Sequence, residues 1–442
     1  MIHAIKTIIR GLLPHSILDA YHLAMAHLGA WWYRHPSRQL IVIGVTGTKG
    51  KSTTVALITR VLEQAGFAVG VIATTHFKIN DREWVNETKQ TMPGRMRLQR
   101  LLREMVRSGC RYAIIETSSE GLAQHRQVSI EYDVAVFTNL SPEHIESHGS
   151  FEQYRDAKLL LFRSLAQHKN KWIAGERISK VIVVNGDDGE AVRFLEPRAD
   201  LHYAFSMHAD QPIAARVDSF VLAHQVRLFD DHSEFIIDHQ LFRPWLIGAH
   251  NVANCIAATS VGVSQHIPIG IISEALGQNV QIPGRMEEIP NDRDVRIFVD
   301  YAHEPASLEA IYRAAQLLKP KRLIAVLGSQ GGGRDKAKRP VLGRLAGQYA
   351  HCVIVTNEDP YDENPQDIID EVAAGAMEAG KRLDIDCWKI IDRERALKAA
   401  LDLATAGDMI LVTGKGSETV MAVAGGKLVP WDDRTALKKL LS

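Results

Sequence analysis

Two rhythms of apolar and polar positions alternate along most of the chain. From Gln39 onward, short unbroken apolar runs occupy residues 40–45, 113–116, 134–138, 181–185, 297–300, 323–327, 352–356 and 409–413. Between them, residues 52–65, 98–108, 305–318, 340–347 and 365–379 bring apolar side chains back every three or four positions, the period of an amphipathic helix. Runs that are apolar throughout suit strands covered on both faces, and their alternation with helices predicts parallel sheets of the α/β class. Residues 203–245 lose the helical half of the rhythm and predict an antiparallel edge. Near 282–294, Pro283, Gly284, Pro290 and Asn291 interrupt the pattern, which predicts a change of domain there.

The front of the chain follows a different rule. Ile5, Ile8, Ile9 and Leu12 recur at helical spacing beside Lys6 and Arg10, and a second apolar segment ends in Trp31, Trp32 and Tyr33. The stretch 20–33 lacks Asp, Glu, Lys and Arg but is shorter than the ~18–20 residues a membrane span needs. No small-residue cleavage site follows, so a signal peptide is not expected. Residues 1–38 predict a helical segment that either packs on the next domain or makes peripheral membrane contact.

Composition changes this picture little. A chain of 442 residues with 46% hydrophobic and 24% charged positions is that of a multidomain soluble protein. Its formal net charge is zero, so no overall field draws it to nucleic acid, and no nucleic-acid partner is expected. Cys110, Cys255, Cys352 and Cys387 lie far apart in no metal-ligand spacing, and read as free thiols in a reducing, cytoplasmic compartment.

Chemistry enters where the first strand run ends. Val45-Thr46-Gly47-Thr48-Lys49-Gly50-Lys51-Ser52-Thr53 passes from strand through a glycine-bearing turn into a helix. Consecutive N–H groups at such a helix start can cradle phosphate oxygens, with Lys51 reaching the β- and γ-phosphates and the Ser52 hydroxyl binding Mg²⁺. Val45 stands where the general phosphate-loop pattern has its first glycine. Glu116 closes the next strand run, His144 follows another, and Lys158 lies in the helix after that. A carboxylate and an imidazole beside nucleotide phosphates suit a second divalent ion.

The order of these motifs resembles that of the Mur ligases, and within them the tripeptide-synthesising subfamily. The phosphate loop is followed by Thr91-Met92-Pro93-Gly94, Glu116-Thr117-Ser118-Ser119, Gln124-His125-Arg126, Thr138-Asn139-Leu140 with His144 and His148-Gly149, and Ala157-Lys158. Gly248-Ala249-His250-Asn251-Val252-Ala253-Asn254, Pro283-Gly284-Arg285-Met286-Glu287 and Asp300-Tyr301-Ala302-His303 come next. The set ends with Gly333-Arg334-Asp335-Lys336, Lys338-Arg339-Pro340 and Gly414-Lys415-Gly416. The resemblance spans about residues 40–442.

It implies a helical segment (1–38), a P-loop central ATP-binding domain with a mainly parallel sheet (39–284) and a C-terminal Rossmann-like α/β domain (285–442). It implies ATP and two Mg²⁺ sites as cofactors: Gly47, Thr48, Lys49, Gly50, Lys51, Ser52 and Thr53 on the phosphates, and Ser52, Glu116, His144 and a carbamylated Lys158 supporting metal. Asn251, Arg285 and Asp300 would contact the nucleotide's base, phosphate and ribose. Thr91, Ser118, Gln124 and Arg126 would hold a muramoyl-peptide-like acceptor. The implied reaction is amide formation through an acyl phosphate by a monomeric enzyme of cell-wall precursor synthesis, with Lys51, Glu116, His144 and Lys158 as its catalytic set.

The chain departs from the family pattern at Lys49, Glu120, Glu304 and Ser417, where Asn, His, Thr and His are usual. The forty residues before the phosphate loop are too few for the family's uridine-nucleotide domain, so the acceptor is expected to be UDP-linked, lipid-linked or free. Where the subfamily's diaminopimelate enzymes carry Asp-Asn-Pro-Arg, this chain has Glu358-Asp359-Pro360-Tyr361. A tyrosine lacks the bidentate fork that reads a distal carboxylate, so a lysine-like diamine is favoured over diaminopimelate. Arg334, Gly414 and Glu418 remain for the added amino acid's backbone groups. Folylpolyglutamate synthase-like, cyanophycin synthetase-like and non-catalytic nucleotide-binding readings are the alternatives.

Overall fold

The computed structural model describes residues 15–88, 90–141, 148–279, 282–333 and 335–442. The chain forms two compact units, Met1–Leu228 with His232–Val280, and Phe229–Asp231 with Gln281–Ser442.

In the first unit, strand β1 (Ile41–Thr46) is buried along its whole length at the centre of a nine-stranded sheet. Its neighbours are β5 (Tyr112–Glu116) and β6 (Val134–Phe137). The sheet continues beyond β6 to β9 (Val181–Asn185), β10 (Leu201–Ser206) and β11 (Ser219–Leu222), and beyond β5 to β2 (Val69–Ile72), β3 (His76–Ile79) and β4 (Arg82–Val85). All pairings are parallel except those of the β3–β4 hairpin edge. Alternate side chains of β1 serve opposite cores, as pleating demands. Ile41, Ile43 and Val45 pack with Val55, Ile58, Val252 and Ile256, whereas Val42 joins Leu101, Met105, Leu161 and Phe162. Helices α2 (Lys51–Gln64) and α7 (Ala249–Ser264) therefore cover one face, and α3 (Arg95–Arg107) and α5 (Phe151–Gln167) the other.

The antiparallel edge expected at 203–245 needs correction. β10 and β11 are parallel members of the large sheet, and only β12 (His224–Leu228), β13 (Ser233–Ile237) and β14 (Gln240–Phe242) form an antiparallel sheet. Tyr203, Phe205 and Val221 enter the same core as Val181 and Val183, and that burial, invisible in so short a repeat, sets their direction.

At the front, α1 (His15–Trp32) packs on α3: a Cβ on Gly29 would lie 3.0 Å from the Met96 sulfur. His27 Nδ1 pairs with the Ser129 hydroxyl at 2.8 Å. The outer face of α1 leaves Ile17, Tyr21, Leu28, Trp31 and Trp32 exposed. No helix among the described residues is long and apolar enough to cross a membrane. The apolar repeat at Ile5–Leu12 lies outside the described residues.

The second unit is built on a six-stranded sheet ordered β15 (Glu287–Glu288), β16 (Arg296–Val299), β20 (Met409–Val412), β17 (Leu323–Leu327), β18 (Cys352–Thr356) and β19 (Cys387–Ile390). All pairs but β15–β16 are parallel. Helices α9 (Pro305–Leu317), α10 (Lys338–Tyr349) and α11 (Pro365–Glu378) bury one face, and α12 (Arg393–Leu403) and α13 (Asp433–Leu441) the other. Both units are α/β with mainly parallel sheets, as the apolar rhythm predicts.

Candidate active site

The phosphate loop turns where only glycine fits. Gly47 and Gly50 both hold positive φ, at 152° and 78°. A side chain at Gly47 would overlap the Thr138 hydroxyl, and one at Gly50 the Asn254 side chain. The turn is fastened from below by the end of β6: Thr48 N donates to Asn139 O (2.8 Å), Lys49 N to Asn139 Oδ1 (2.9 Å), and the Thr138 hydroxyl to Lys49 O (2.6 Å). The loop is thus pre-shaped before any ligand arrives. Lys51 Nζ folds onto the Gly47 and Thr48 carbonyls at 3.0 and 2.7 Å, within its own loop. Thr53 is buried on the first turn of α2.

Glu116, at the end of β5, is buried and receives the Ser52 hydroxyl at 3.0 Å and Thr74 N at 2.8 Å. A hydroxyl and a carboxylate so placed are hard oxygen donors that fit Mg²⁺, with phosphate and water oxygens completing its shell. Among the described residues no three His, Cys, Asp or Glu side chains converge, so protein ligands alone build no closed cage. Lys158, 2% exposed, donates to Gly47 O at 2.7 Å, and its ammonium lies 4.4 Å from the Tyr154 ring centre. The Tyr154 hydroxyl in turn reaches Thr48 Oγ1 at 3.1 Å. His148 Nε2 contacts the Ser119 hydroxyl at 3.1 Å, and burial holds its pKa below the usual histidine value. His144 lies outside the described residues.

A second cluster gathers at the same end of the sheet. Thr91 accepts a hydrogen bond from Thr74 (2.9 Å), which places it one residue contact from Glu116. Arg126 donates to Gln124 Oε1 (2.8 Å), Gln90 Oε1 (3.1 Å) and the Met92 carbonyl, and Ser118 caps the short helix α4 (Ser119–Ala123) by accepting from Gly121 N. Asn251 opens α7, donating to Ile247 O and accepting from Asn254, which also receives Thr54 of the phosphate-loop helix. Thr74 falls in no motif, and Asn254 and Tyr154, though they lie within or beside motif stretches, carry no assigned role in the sequence. Each acts through a neighbour far along the chain, which a local motif does not reveal.

In the second unit, Asp300 is buried at the end of β16 and accepts Met286 N and Ala302 N, both at 2.7 Å. Burial raises its pKa, opposed first by the Arg285 guanidinium, which lies 4.6 Å over the Tyr301 ring. Beyond β18, Asp359 is taken up by Lys415 Nζ (2.9 Å) and Ala422 N (2.7 Å), and Lys415 also pairs with Glu418 and Val420 O. Glu358 is fully buried against Gly414, and neither carboxyl oxygen finds a hydrogen-bond partner among the described residues. Tyr361 follows with φ 52°. Arg334 lies outside the described residues. Of the family departures, Glu304 has a structural use: it caps α9 and pairs with the buried Lys338.

A phosphate loop on a parallel sheet, with a buried carboxylate one strand away holding the loop's serine, defines a nucleotide-binding α/β enzyme of the P-loop class. The Mur ligase middle domain model matches residues 45–262, and that of the Mur ligase, glutamate ligase domain matches residues 284–416. The chain is 38% identical over 434 residues to the UDP-N-acetylmuramyl-tripeptide synthetase of Roseiflexus sp. (strain RS-1), covering 95% of this chain and 82% of that protein. It is 34% identical to the UDP-N-acetylmuramoyl-L-alanyl-D-glutamate--2,6-diaminopimelate ligase of Geobacillus kaustophilus (strain HTA426), covering 96% and 84%. A solved structure of a ligase with that name superposes with a TM-score of 0.61 at 26% identity over 95% of this chain and 82% of that one. The folylpolyglutamate synthase of Mycobacterium tuberculosis, at 15% identity and TM-score 0.65 over 89% of this chain and 92% of that one, shares the fold. The chain belongs to the Mur ligase family, and it is an ATP-dependent amino-acid ligase of peptidoglycan precursor synthesis. The family uses ATP and Mg²⁺.

Proposed function

We propose that this ligase activates the carboxylate of a muramoyl-peptide-like acceptor and joins it to a lysine-like diamine. The observation that carries the reading is the contact between Ser52 on the loop helix and Glu116 at the adjacent strand end, 3.0 Å apart and beside the Thr74–Thr91 pair. Loop amides and Lys51 take the ATP phosphates, with Asn251 assigned to the base and Arg285 and Asp300 to phosphate and ribose. Ser52 and Glu116 hold one Mg²⁺; His144, with Lys158 in its carbamylated form, supports a second. The metal's chemistry is charge neutralisation on phosphate oxygens. Thr91, Ser118, Gln124 and Arg126 orient the acceptor so that its carboxylate oxygen attacks the γ-phosphorus as ADP leaves. The amine nitrogen then attacks the acyl carbon, the C–O bond to phosphate breaks, and the amine's proton is lost. Residues 39–284 are the central ATP-binding domain in this reading, and residues 285–442 the C-terminal Rossmann-like domain that supplies Arg285, Asp300 and the groups for the added amino acid.

Arg334, Gly414 and Glu418 would receive the amino acid's α-carboxylate and α-amine. Its distal end is assigned to Glu358 and Tyr361. Asp359 contributes less directly, because its Oδ1 already accepts from Lys415 Nζ and Ala422 N. An acid at position 358 and a tyrosine rather than an arginine at position 361 support an ammonium over a second carboxylate. The protein works as a monomer, with residues 1–38 resting on a bilayer surface. A phosphate-release assay with a muramoyl-dipeptide acceptor tests this, comparing L-lysine with meso-diaminopimelate. Faster release with L-lysine, abolished in Lys51→Ala, is expected; faster release with diaminopimelate would overturn the choice of amine.

A further inference from the structure

Helix α3 carries five arginines, Arg95, Arg97, Arg100, Arg103 and Arg107, against the single carboxylate of Glu104, in a chain whose net charge is zero. Beside it the β3–β4 hairpin ends the nine-stranded sheet and presents Arg82 and Trp84. Between hairpin and helix lies a recess of about 410 Å³ lined by Arg82, Trp84, Arg97, Arg100, Leu101 and Glu104. We propose that this recess is a diphosphate site, taking the carrier end of a diphosphate-linked acceptor substrate.

Charge and geometry select that ligand. Glu104 is shared between Arg82 (3.3 Å) and Arg100 (3.2 Å), so three guanidiniums face one carboxylate and two positive charges are left over within the recess. The Arg82 guanidinium lies over the Trp84 ring at 4.7 Å and that of Arg97 over Phe77 at 5.2 Å. A guanidinium stacked on a ring is held flat and keeps its N–H edge available, the arrangement that binds phosphate oxygens in pairs. Two adjacent phosphates match a surplus of two positive charges better than a single carboxylate does. Trp84, half-buried at the sheet edge, supplies apolar surface for whatever the diphosphate bears.

Position ties the recess to the acceptor. Helix α3 starts directly after Thr91-Met92-Pro93-Gly94, and its first residue, Arg95, donates to the Gln124 carbonyl. Arg126 donates to the Met92 carbonyl and to the Gln124 side chain. Arg97 belongs to that same first turn, so the recess opens along the helix from the Thr91–Gln124–Arg126 cluster. The inference rests on the assignment of that cluster to the acceptor.

A nucleoside diphosphate and a polyprenyl diphosphate share this chemistry, and direct binding separates them. The full-length protein, with saturating ADP and Mg²⁺ so that the phosphate loop is filled, is titrated calorimetrically with UDP, inorganic pyrophosphate and geranyl diphosphate. The same titrations are run on Arg97→Gln/Arg100→Gln, whose exposed side chains leave the fold unburdened. Each diphosphate that binds the wild type should bind the double variant at least tenfold more weakly, with ADP affinity unchanged. Tighter binding of UDP names a nucleotide carrier, and tighter binding of geranyl diphosphate a lipid one. Equal affinities in wild type and variant, or no binding of any probe to the wild type, would overturn the site. Binding is read without turnover, so a wrong acceptor assignment shows separately, as unchanged ligation in Thr91→Ala and Gln124→Ala.

Discussion

Lys158 is an ammonium buried beneath a loop that is to receive a triphosphate. It donates to the Gly47 carbonyl and lies against the Tyr154 ring. Once the nitrogen gives up a proton, its lone pair can add CO₂ with loss of a second proton, and the carbamate anion so formed inverts the interaction with a neighbouring divalent ion. Lys158→Ala should lose activity and regain part of it when acetate or another short-chain carboxylate fills the space. An alanine variant that is fully active, or one that no carboxylate revives, speaks against the modification. Glu358 poses the opposite problem, an acid whose carboxyl oxygens find no hydrogen-bond partner among the described residues. Burial first, and then the neighbouring Asp359, push its pKa from 4.5 up to about 7, against the pull of Arg393, Lys415 and Lys338. The folded chain therefore keeps this proton where the unfolded chain has lost it. The resulting stabilisation is full below pH 4.5 and disappears as pH rises through about 7, on the order of 3 kcal/mol at its limit. Glu358→Gln is neutral at every pH, so its melting temperature should overtake the wild type's between pH 5 and pH 8. Parallel curves for the two proteins would show that Glu358 does not titrate in that window.

At the scale of elements, the strand ends opposite the phosphate loop are tied by a buried ion cluster. Asp133 precedes β6 and is fully buried; it accepts Lys171 Nζ at 2.5 Å, Lys180 Nζ at 2.9 Å and Val42 N at 2.9 Å. Lys171 also reaches the Ser37 and Leu40 carbonyls, and its pKa is lowered chiefly by burial. One carboxylate thus joins β1, β6 and the approach to β9. Asp133→Ala leaves two buried ammonium groups without their anion, which should cost roughly 3–5 kcal/mol in urea unfolding. A loss below about 1 kcal/mol would mean that the backbone carbonyls suffice. Nothing in the sequence announced this cluster, since Asp133, Lys171 and Lys180 fit no motif. The strands it joins were legible because both their faces are covered, so they read as unbroken apolar runs. β2 was missed: it is four residues long and contains Gly70, where a Cβ would overlap Met105. Helix α7 was missed for the opposite reason, being buried all round with no polar stripe to reveal its period. The 340–347 helix begins two residues earlier, at Lys338, because Pro340 occupies the first turn, where a missing N–H costs nothing. The phosphate loop was legible as a run of consecutive residues, whereas Asn254 meets Thr54 across 200 positions.

For the whole molecule, a sequence pI of about 7.3 means that no net field pulls the protein toward an anionic surface at neutral pH. Any bilayer contact must come from a local patch, and the described residues 15–38 offer one, with Arg34 exposed next to Trp31 and Trp32. Within this segment α1 turns Ala26 and Ala30 inward and leaves Trp31 and Trp32 67% and 66% exposed, with Ile17, Tyr21 and Leu28 also open. Aromatic rings of this kind settle at the headgroup boundary, and basic neighbours add attraction to anionic lipids that salt weakens. Deleting the segment would strip α3 of its cover and confuse a lost contact with a lost fold. Trp31→Ala/Trp32→Ala removes the apolar anchor alone, because side chains so exposed support little packing. In flotation, the full-length protein should rise with vesicles containing phosphatidylglycerol, rise less with purely zwitterionic vesicles, and release at high salt. The double variant should stay at the bottom of the gradient with an unchanged melting temperature. Wild type that fails to float, or a variant that floats equally well, would return α1 to a purely structural role as the cover of α3.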